Sequence, residues 1–225
     1  MNAQVGGGRP DPAAARLRVT GLYAITPEDP DDAHLAHKVQ AALAGGARIF
    51  QYRSKSTDVA ARRAQAKRLL GLCRRHSALL IINDDLELAL SIGADGVHLG
   101  RDDGEVAAAR ARLPANTLLG VSCYDRLELA FAAVAAGADY VAFGSAFCSP
   151  TKPEAVRAAP GLFAQARARL AVPIVAIGGI TPENAPVVIQ AGADAVAVIT
   201  ALFDAEDITA AAAAFGRLFV ECRKT

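Results

Sequence analysis

Carboxylate side chains follow two neighbouring apolar runs of this sequence. Asn83, Asp84 and Asp85 come directly after one run, and Asp102 and Asp103 come after the next. Two carboxylates on adjacent strand ends suit Mg²⁺, which takes few protein oxygens and completes its shell with water and phosphate oxygens. The alternative is that Asp84 or Asp85 caps one helix and that Asp103 caps the next. Because basic residues accompany the pair, we favour a metal site.

Those basic residues follow other apolar runs. Arg53 and Lys55 come after the apolar run at residues 49–50. Lys152 lies on a long segment, residues 144–160, which follows the apolar run at residues 140–143. Lysine and arginine beside a divalent cation are what a diphosphate requires, because the metal and the side-chain N–H donors together neutralise its charge. The sequence therefore predicts a site for a metal-bound diphosphate.

Hydroxyl groups and glycines predict a second anion site. Ser149 and Thr151 adjoin Lys152 and would cradle a phosphate or carboxylate, although the segment could instead be a lid or a plain surface loop. Gly178-Gly179 and Ile199-Thr200 follow the last two runs, where barrels often bind a substrate phosphate through backbone N–H groups. For the two glycines, a tight turn is the alternative.

The histidines and cysteines add little to this chemistry. His34 and His37 lie one helical turn apart with no third ligand nearby, which favours an exposed helix face. His98 lies within an apolar run, so we expect it to point into the barrel as a packed or supporting residue rather than a base. The sequence has no Gly-x-Ser-x-Gly elbow, and its four cysteines form no CxxC pair, so covalent catalysis and a zinc site have no support.

A repeated pattern predicts the elements that position these residues. Residues 44–49, 92–97, 136–141 and 191–196 each place a glycine where a helix must end and a strand follows at once. Filling in between them predicts strands near residues 22–25, 49–52, 79–83, 96–99, 118–122, 140–144, 174–177 and 195–199, and helices near residues 32–44, 58–75, 86–92, 105–113, 125–136, 161–170, 182–191 and 205–222. The predicted fold is an α/β TIM (β/α)8 barrel, which would bring all these polar residues to one face. An open doubly wound sheet is the alternative, but its single Gly-rich fingerprint is missing.

The composition is that of one globular domain. The 225 residues are 52% apolar and 21% charged, with a net charge of +1. We expect a flexible N-terminal extension at residues 1–18 and the barrel at residues 19–225. The charge gives no reason to expect nucleic acid or a membrane surface as partner, and no apolar run is long enough for a span. With no signal pattern and no cysteine pair, we expect a cytoplasmic protein. The sequence leaves both a monomer and a homodimer open.

An ordered set of motifs resembles those of a known family. The motifs are Gln51-Tyr52-Arg53-Ser54-Lys55, Asn83-Asp84-Asp85, His98-Leu99-Gly100-Arg101-Asp102-Asp103, Gly120-Val121-Ser122, Ser149-Pro150-Thr151-Lys152, Ala176-Ile177-Gly178-Gly179-Ile180 and Ile199-Thr200-Ala201. In order and spacing they resemble thiamine-phosphate synthase. The resemblance implies a TIM barrel that joins 4-amino-2-methyl-5-(diphosphooxymethyl)pyrimidine to a thiazole phosphate, carboxylated or not, and releases thiamine phosphate and diphosphate.

The resemblance also implies roles for individual residues. The pyrimidine diphosphate would be bound by Gln51, Tyr52, Arg53, Ser54, Lys55, Asn83, Ser122 and Lys152, and the thiazole phosphate by Ser149, Pro150, Thr151, Gly179, Ile199 and Thr200. Mg²⁺ would be held by Asp84 and Asp103, and Arg53, Lys55, Ser122 and Lys152 would act in catalysis. The implied mechanism is a Mg²⁺-assisted, dissociative loss of diphosphate. Arg101 departs from the glutamine that is common at its position, and we have no account of it.

Other functions stay open at this point. A related thiazole tautomerase shares the barrel and the thiazole site but has no diphosphate to hold, so the presence of Arg53, Lys55 and Asp84 argues against it. A non-catalytic phosphate-binding barrel would bind its ligand without turnover. A phosphate-sugar isomerase or aldolase on the same barrel is a further alternative.

Overall fold

A computed structural model of the chain describes residue 15 and residues 18–100, 104–148 and 158–222. Five predicted site residues lie outside these ranges: Asp103, Ser149, Pro150, Thr151 and Lys152. Arg101 and most of the predicted N-terminal extension lie outside them as well. The roles predicted for these residues therefore rest on the sequence alone.

Among the described residues, eight parallel strands close into a barrel in the order of the sequence. The strands are β1 Gly21–Ile25, β2 Ile49–Tyr52, β3 Leu79–Asn83, β4 Gly96–Leu99, β5 Leu118–Tyr124, β6 Tyr140–Phe143, β7 Ile174–Ile177 and β8 Ala195–Val198. The sheet closes because β1 pairs with β8, with Gly21 beside Ala195 and Ala24 beside Val198. All carboxyl ends of the strands open on one face, the top face, and the amino ends form the bottom face.

Helices cover the outside of the barrel. They are α1 Asp32–Ala44, α2 Val59–Arg75, α3 Leu86–Ile92, α4 Val106–Arg112, α5 Leu127–Ala135, α6 Pro160–Arg169, α7 Ala185–Gln190, α8 Thr200–Phe203 and α9 Ile208–Cys222. Asp31, Asp58 and Asp85 start three of them, because each carboxylate accepts first-turn N–H groups that have no partner within the helix. No helix in the described ranges has the length and apolar character needed to cross a membrane.

The structure confirms the predicted TIM barrel and corrects some boundaries. The helix predicted at 182–191 begins at Ala185, because the residues before it form a turn in which Asn184 Oδ1 accepts the Thr181 N–H at 2.9 Å. The strand predicted to end at residue 199 ends at Val198, and the helix α8 that follows was not predicted. The last helix begins at Ile208 rather than at residue 205.

Two apolar layers stabilise the barrel. An outer layer fills the space between strands and helices, and an inner cluster fills the lumen with residues that include Tyr23, Ile49, Ile81 and Tyr140. Successive residues of a strand face opposite sides of the sheet, and both sides are buried here, one by the helices and the other by the lumen cluster. The strands therefore read as continuous apolar runs. Val19, just before β1, belongs to the inner cluster too and packs at the bottom of the lumen.

Glycines end the helices at the bottom face, as predicted. The φ angles are 99° at Gly46, 66° at Gly93, 108° at Gly137 and 110° at Gly192. This left-handed region costs a residue with a Cβ more than it costs glycine. Each glycine thus lets the chain turn directly from a helix into the next strand, which fixes where the following top-face loop begins.

Candidate active site

The loop after β2 carries Arg53 and Lys55 and is held by residues that follow β1. The Arg53 backbone N–H donates to Thr26 Oγ1 at 3.0 Å, and Arg53 Nη1 lies 3.2 Å from Glu28 Oε1. The Lys55 backbone N–H donates to Glu28 Oε2 at 3.0 Å. Within the part of the chain that the structure describes, the Lys55 ammonium has no carboxylate partner. Glu28 therefore fixes the backbone of this loop and leaves the Lys55 ammonium available to an anion.

The acidic residues after β3 have different tasks. Asp85 is the N-cap of α3, where its Oδ1 accepts the Leu88 N–H at 2.8 Å, and its Oδ2 pairs with Arg62 of α2. The capping alternative is thus confirmed for Asp85. Asp84 has a φ of 64°, and its Oδ2 accepts from Asn83 Nδ2 at 2.5 Å. Left-handed backbone at a non-glycine residue is costly and clusters at functional sites, so Asp84 fits a ligand role.

One cavity of about 520 Å³ at the top face joins these two loops. Its walls include Arg53, Ser54 and Lys55 from the loop after β2, and Asn83 and Asp84 from β3 and the loop after it. The predicted convergence of cations and carboxylates on one mouth is therefore seen for the described residues. A cavity with these walls offers donors to phosphate oxygens and oxygen ligands to a hard cation.

The donor set of this cavity fits Mg²⁺. Asp84 and Asn83 offer oxygen atoms, and within the described ranges no three His, Cys, Asp or Glu side chains are arranged to enclose a metal ion. Mg²⁺ does not need such a cage, because it is commonly bound by one or two carboxylates together with water and substrate phosphates. The Asp84 carboxylate, in a cavity that Arg53 and Lys55 also line, would meet that requirement together with water and phosphate oxygens.

Gln51 and Ser122 face the lumen from β2 and β5, and buried polar groups connect them. Gln51 Nε2 donates to Tyr23 OH at 2.9 Å, and Tyr23 OH lies 2.8 Å from Tyr140 OH. His98 Nδ1 lies 3.1 Å from Tyr140 OH, and His98 Nε2 lies 2.9 Å from Ser122 Oγ. Burial raises the pKa of both tyrosines, which keeps them as neutral phenols. The packed, supporting position predicted for His98 is confirmed.

Gly178 and Gly179 bring the loops after β6 and β7 into contact. Their φ angles are 101° and 61°. A Cβ on Gly179 would overlap the Cys148 carbonyl group, and a Cβ on Gly178 would overlap Ser145. Positive φ angles favour glycine at both positions, and the close approach of the neighbouring loop explains why no side chain fits. The described part of the loop after β6 ends beside Gly179.

Ile199 and Thr200 lie where β8 passes into the short helix α8. Ile199 is the N-cap of α8, and Thr200 is its first residue. The first N–H groups of a helix have no partner within that helix. In barrels of this kind, a phosphate is frequently bound by the loops after the seventh and eighth strands and the start of a short extra helix. The two predicted residues therefore lie at a position suited to an anion.

Comparison with known proteins identifies the family. The thiamine monophosphate synthase model matches residues 22–202. This chain belongs to that family. The thiamine-phosphate synthase of Chromobacterium violaceum is 60% identical over 202 residues, which cover 90% of this chain and 97% of that relative. The same enzyme of Thiobacillus denitrificans is 57% identical over 199 residues, covering 88% of this chain and 94% of that relative.

A solved structure agrees with this family assignment. Thiamine phosphate pyrophosphorylase from Pyrococcus furiosus has a TM-score of 0.81 to this chain at 34% identity, and the match covers 92% of this chain and 98% of that one. The resemblance found from the sequence motifs is thereby confirmed. In this family member, the cavity at the top of β2 and β3 is the place to assign individual roles.

Tyr52 is a predicted site residue whose side chain faces away from the lumen. Its hydroxyl donates to Gln65 Oε1 on α2 at 2.8 Å, and its ring belongs to the outer apolar layer. Arg62, on the same helix, lines the cavity. The Tyr52 side chain therefore anchors α2 to β2, and Tyr52 itself also lines the cavity.

Sequence reasoning missed several residues of this region. Thr26 and Glu28 follow β1 as the predicted residues follow other strands, and that placement was a usable signal. Tyr23 and Tyr140 lie inside apolar runs and read as ordinary core residues. Their hydroxyl groups meet only because β1 and β6 face each other across the closed lumen.

Proposed function

We propose that this protein is a thiamine-phosphate synthase. It joins 4-amino-2-methyl-5-(diphosphooxymethyl)pyrimidine to a thiazole phosphate and yields thiamine phosphate and diphosphate, with CO2 as a further product when the thiazole is carboxylated. The observation that carries this proposal is the cavity where Arg53, Lys55 and Asp84 meet. It occurs in a chain whose Chromobacterium violaceum relative of that name is 60% identical over 97% of its own length.

The pyrimidine diphosphate occupies this cavity and the adjoining end of the lumen. Its diphosphate is bound by Arg53, Ser54, Lys55, Asn83 and Lys152, and Tyr52 contributes to the same binding site. Its pyrimidine lies between Gln51 and Ser122, and Ser122 also lies beside the diphosphate. The cavity walls support the first part of this assignment. The buried amide of Gln51 supports the second, because an amide offers both a donor and an acceptor to an aminopyrimidine edge.

Mg²⁺ is the cofactor that this donor set suits, with Asp84 and Asp103 as its protein ligands. When bound, it supplies positive charge to the oxygens of the leaving diphosphate. The left-handed backbone of Asp84 at the cavity wall supports this role. Asp103 is assigned from the sequence alone.

The thiazole phosphate takes the second anion site at the top face. Gly179, Ile199 and Thr200 bind it partly through backbone N–H groups, together with Ser149, Pro150 and Thr151 of the loop after β6. The start of α8 after β8 supports this placement. Two anion sites on one rim suit a reaction between two phosphorylated substrates.

The reaction begins with loss of diphosphate. Arg53, Lys55 and Lys152 stabilise the negative charge that develops on the departing oxygens, and each such donor typically lowers the barrier by about 3–4 kcal/mol. The C–O bond breaks with its electron pair on the diphosphate and leaves a pyrimidinylmethyl cation. The lone pair of the thiazole nitrogen then captures that cation and forms the new C–N bond.

We place this enzyme in the cytoplasm as a monomer or homodimer that acts on small phosphorylated substrates. Cys73, Cys123, Cys148 and Cys222 are free thiols, which suits a reducing compartment.

A direct assay tests the proposed function. The purified chain is mixed with both substrates, with Mg²⁺ or with a chelator, and diphosphate and thiamine phosphate are quantified. We expect equal amounts of the two products in the presence of Mg²⁺ and almost none with the chelator. A tautomerase would isomerise the thiazole and release no diphosphate, and a non-catalytic barrel would bind a substrate without turnover. Either result, or metal-independent product, would contradict the proposal.

A further inference from the structure

An unbroken line of hydrogen bonds crosses the inside of the barrel. It runs from Gln51 through Tyr23, Tyr140 and His98 to Ser122, with successive donor–acceptor distances of 2.9, 2.8, 3.1 and 2.9 Å. Only 1% of Tyr23, none of Tyr140 and 7% of His98 is exposed. Burying three polar side chains in an apolar lumen is costly unless each is hydrogen-bonded, so this line satisfies a strict requirement of the core.

Gly120 of β5 leaves the space that this line needs. A Cβ at Gly120 would overlap both the ring and the hydroxyl of Tyr140. The absence of a side chain there lets the Tyr140 phenol reach across the lumen between Tyr23 and His98. The glycine two residues before Ser122 is therefore explained by the tyrosine on the neighbouring strand.

The distances allow two directions, because either hydroxyl can donate between Tyr23 and Tyr140 and either tautomer of His98 fits. We take the direction in which Tyr23 OH accepts from Gln51 Nε2 and gives its own proton to Tyr140 OH. Tyr140 OH then donates to His98 Nδ1. A neutral imidazole that accepts at Nδ1 carries its proton on Nε2, which donates to Ser122 Oγ. The proton of Ser122 is then left to point toward the mouth of the barrel.

We infer that Tyr23, Tyr140 and His98 are positioning residues that link the orientation of the Gln51 amide to the orientation of the Ser122 hydroxyl. This inference rests on the proposed function, because it takes the aminopyrimidine at Gln51 and the diphosphate near Ser122 as given. No proton is transferred along the line. Its effect is to fix which way each hydroxyl points.

The amide orientation that the pyrimidine requires allows this direction, and the reversed orientation excludes it. An aminopyrimidine presents an amino donor beside a ring-nitrogen acceptor, and a glutamine amide pairs with such an edge by accepting with its oxygen and donating with its nitrogen. The second N–H of the Gln51 amide then faces Tyr23, which is the contact seen. If the amide were reversed, every donor in the line would reverse and Ser122 would present lone pairs to the mouth. Recognition of the correct base thus prepares a hydrogen-bond donor for the departing diphosphate.

A double-mutant cycle tests this link. Single-turnover rates of diphosphate release are measured for the wild type, Tyr140→Phe, Ser122→Ala and the double variant, and the Kd of pyrimidine diphosphate is measured by calorimetry. We expect Tyr140→Phe to lower the rate about tenfold in the wild type and less than about twofold in the Ser122→Ala variant, because Tyr140 acts through Ser122. The Kd should change by less than about twofold.

Thr209→Val is the matched control. It removes one hydroxyl hydrogen bond, from Thr209 Oγ1 to Ala41 O at 3.0 Å, on the outside of the barrel. We expect it to leave both the rate and the Kd unchanged. A similar tenfold loss in both backgrounds, or no loss from Tyr140→Phe, would overturn the inference.

The outcome also separates this inference from the proposed function. If the wild type forms no thiamine phosphate, the function itself is wrong. If the wild type is active and the cycle is additive, only the link through the lumen is wrong. Should Tyr140→Phe fail to fold, the same cycle is run with Tyr23→Phe, which breaks the adjacent bond of the line and carries the same expectation.

Discussion

Both ends of the barrel have ion pairs between arginine and a carboxylate, but the carboxylates are buried at the bottom face and partly exposed at the top face. At the bottom face, Asp139 Oδ2 pairs with Arg110 at 2.9 Å and Asp194 Oδ2 pairs with Arg167 at 2.8 Å. These two aspartate side chains are only 1% and 5% exposed. At the top face, Arg53 and Glu28 pair at 3.2 Å with side chains that are 32% and 43% exposed.

The two bottom-face aspartates also accept hydrogen bonds from the backbone of the preceding strand. Asp139 Oδ2 also accepts the Leu119 N–H at 2.8 Å, and Asp194 Oδ2 accepts the Ile174 N–H at 2.9 Å. Each carboxylate therefore ties the start of one strand to the strand before it. Exposed ion pairs such as that of Arg53 contribute little to stability. The comparison teaches that the buried carboxylates at the bottom hold strands together, whereas the more exposed Arg53 and Lys55 at the top are accessible to ligands.

The largest effect that we expect is on catalysis, from a cation assigned to the top face. Lys152→Ala should leave the thermal unfolding midpoint unchanged and lower turnover about a hundredfold or more, because a donor to the leaving diphosphate is lost. Steady-state rates and calorimetric unfolding measure the two quantities. Lys67→Ala, which removes an exposed lysine on the outer helix α2, is the control and should be without effect. Near-normal turnover of Lys152→Ala would remove that residue from the site.

A bottom-face carboxylate should show the opposite pattern. Asp139→Ala leaves the buried Leu119 N–H without its acceptor and removes the carboxylate partner of Arg110, so the free energy of unfolding should fall by about 2 kcal/mol. The turnover number per folded molecule should stay at the wild-type value. Chemical denaturation and active-site titration measure these two quantities. A large loss of turnover in the folded protein would show that the two faces are not separate in function.

Gly179→Ala sharpens the comparison within the top face. An added Cβ would overlap the Cys148 carbonyl group and displace the loop after β6. We expect the KM for the thiazole phosphate to rise about tenfold, while the Kd of the pyrimidine diphosphate stays within about twofold. Steady-state kinetics with each substrate varied measures the difference.

Gly46→Ala is the bottom-face control for this substitution. Gly46 has a φ of 99° and open space around its Cα, so the substitution strains the backbone without a clash. It should lower the free energy of unfolding by about 1 kcal/mol and leave both substrate constants unchanged. An unchanged thiazole-phosphate KM in Gly179→Ala would contradict the placement of the second anion site.

The strands and helices that could be predicted from the sequence are those whose signal lies in a few neighbouring residues. Strands such as β2 and β4 were predicted to the residue, because an apolar run after a helix-ending glycine is a local pattern. The start of α7 was missed, since the Asn184 side chain closes a turn that Pro182 makes look like a first helical turn. Helix α8 was missed because four residues are too short to show a helical period.

The residues of the candidate site also divide into those that a local pattern predicts and those that depend on distant strands. Arg53, Lys55 and Asp84 were found because polar residues after strands share one face in any closed parallel barrel. Tyr23 and Tyr140 were not found, because their partners come from β6 and β4, which are distant in sequence. Pairings across a lumen depend on strand number and register, and neither is encoded near the residue itself.

The smallest effect concerns Glu28, the carboxylate that shapes the basic loop. Glu28→Ala removes the acceptor of the Lys55 backbone N–H and the partner of Arg53. We expect the KM for pyrimidine diphosphate to rise about threefold through loosening of the loop, with a change in unfolding free energy below about 0.5 kcal/mol, since the pair is exposed. Asp32→Ala, which breaks a similarly exposed pair with Arg68 between α1 and α2, should leave that KM unchanged. Equal effects of the two variants would mean that Glu28 contributes only surface charge, and the difference between top-face and outer-surface ion pairs would then disappear.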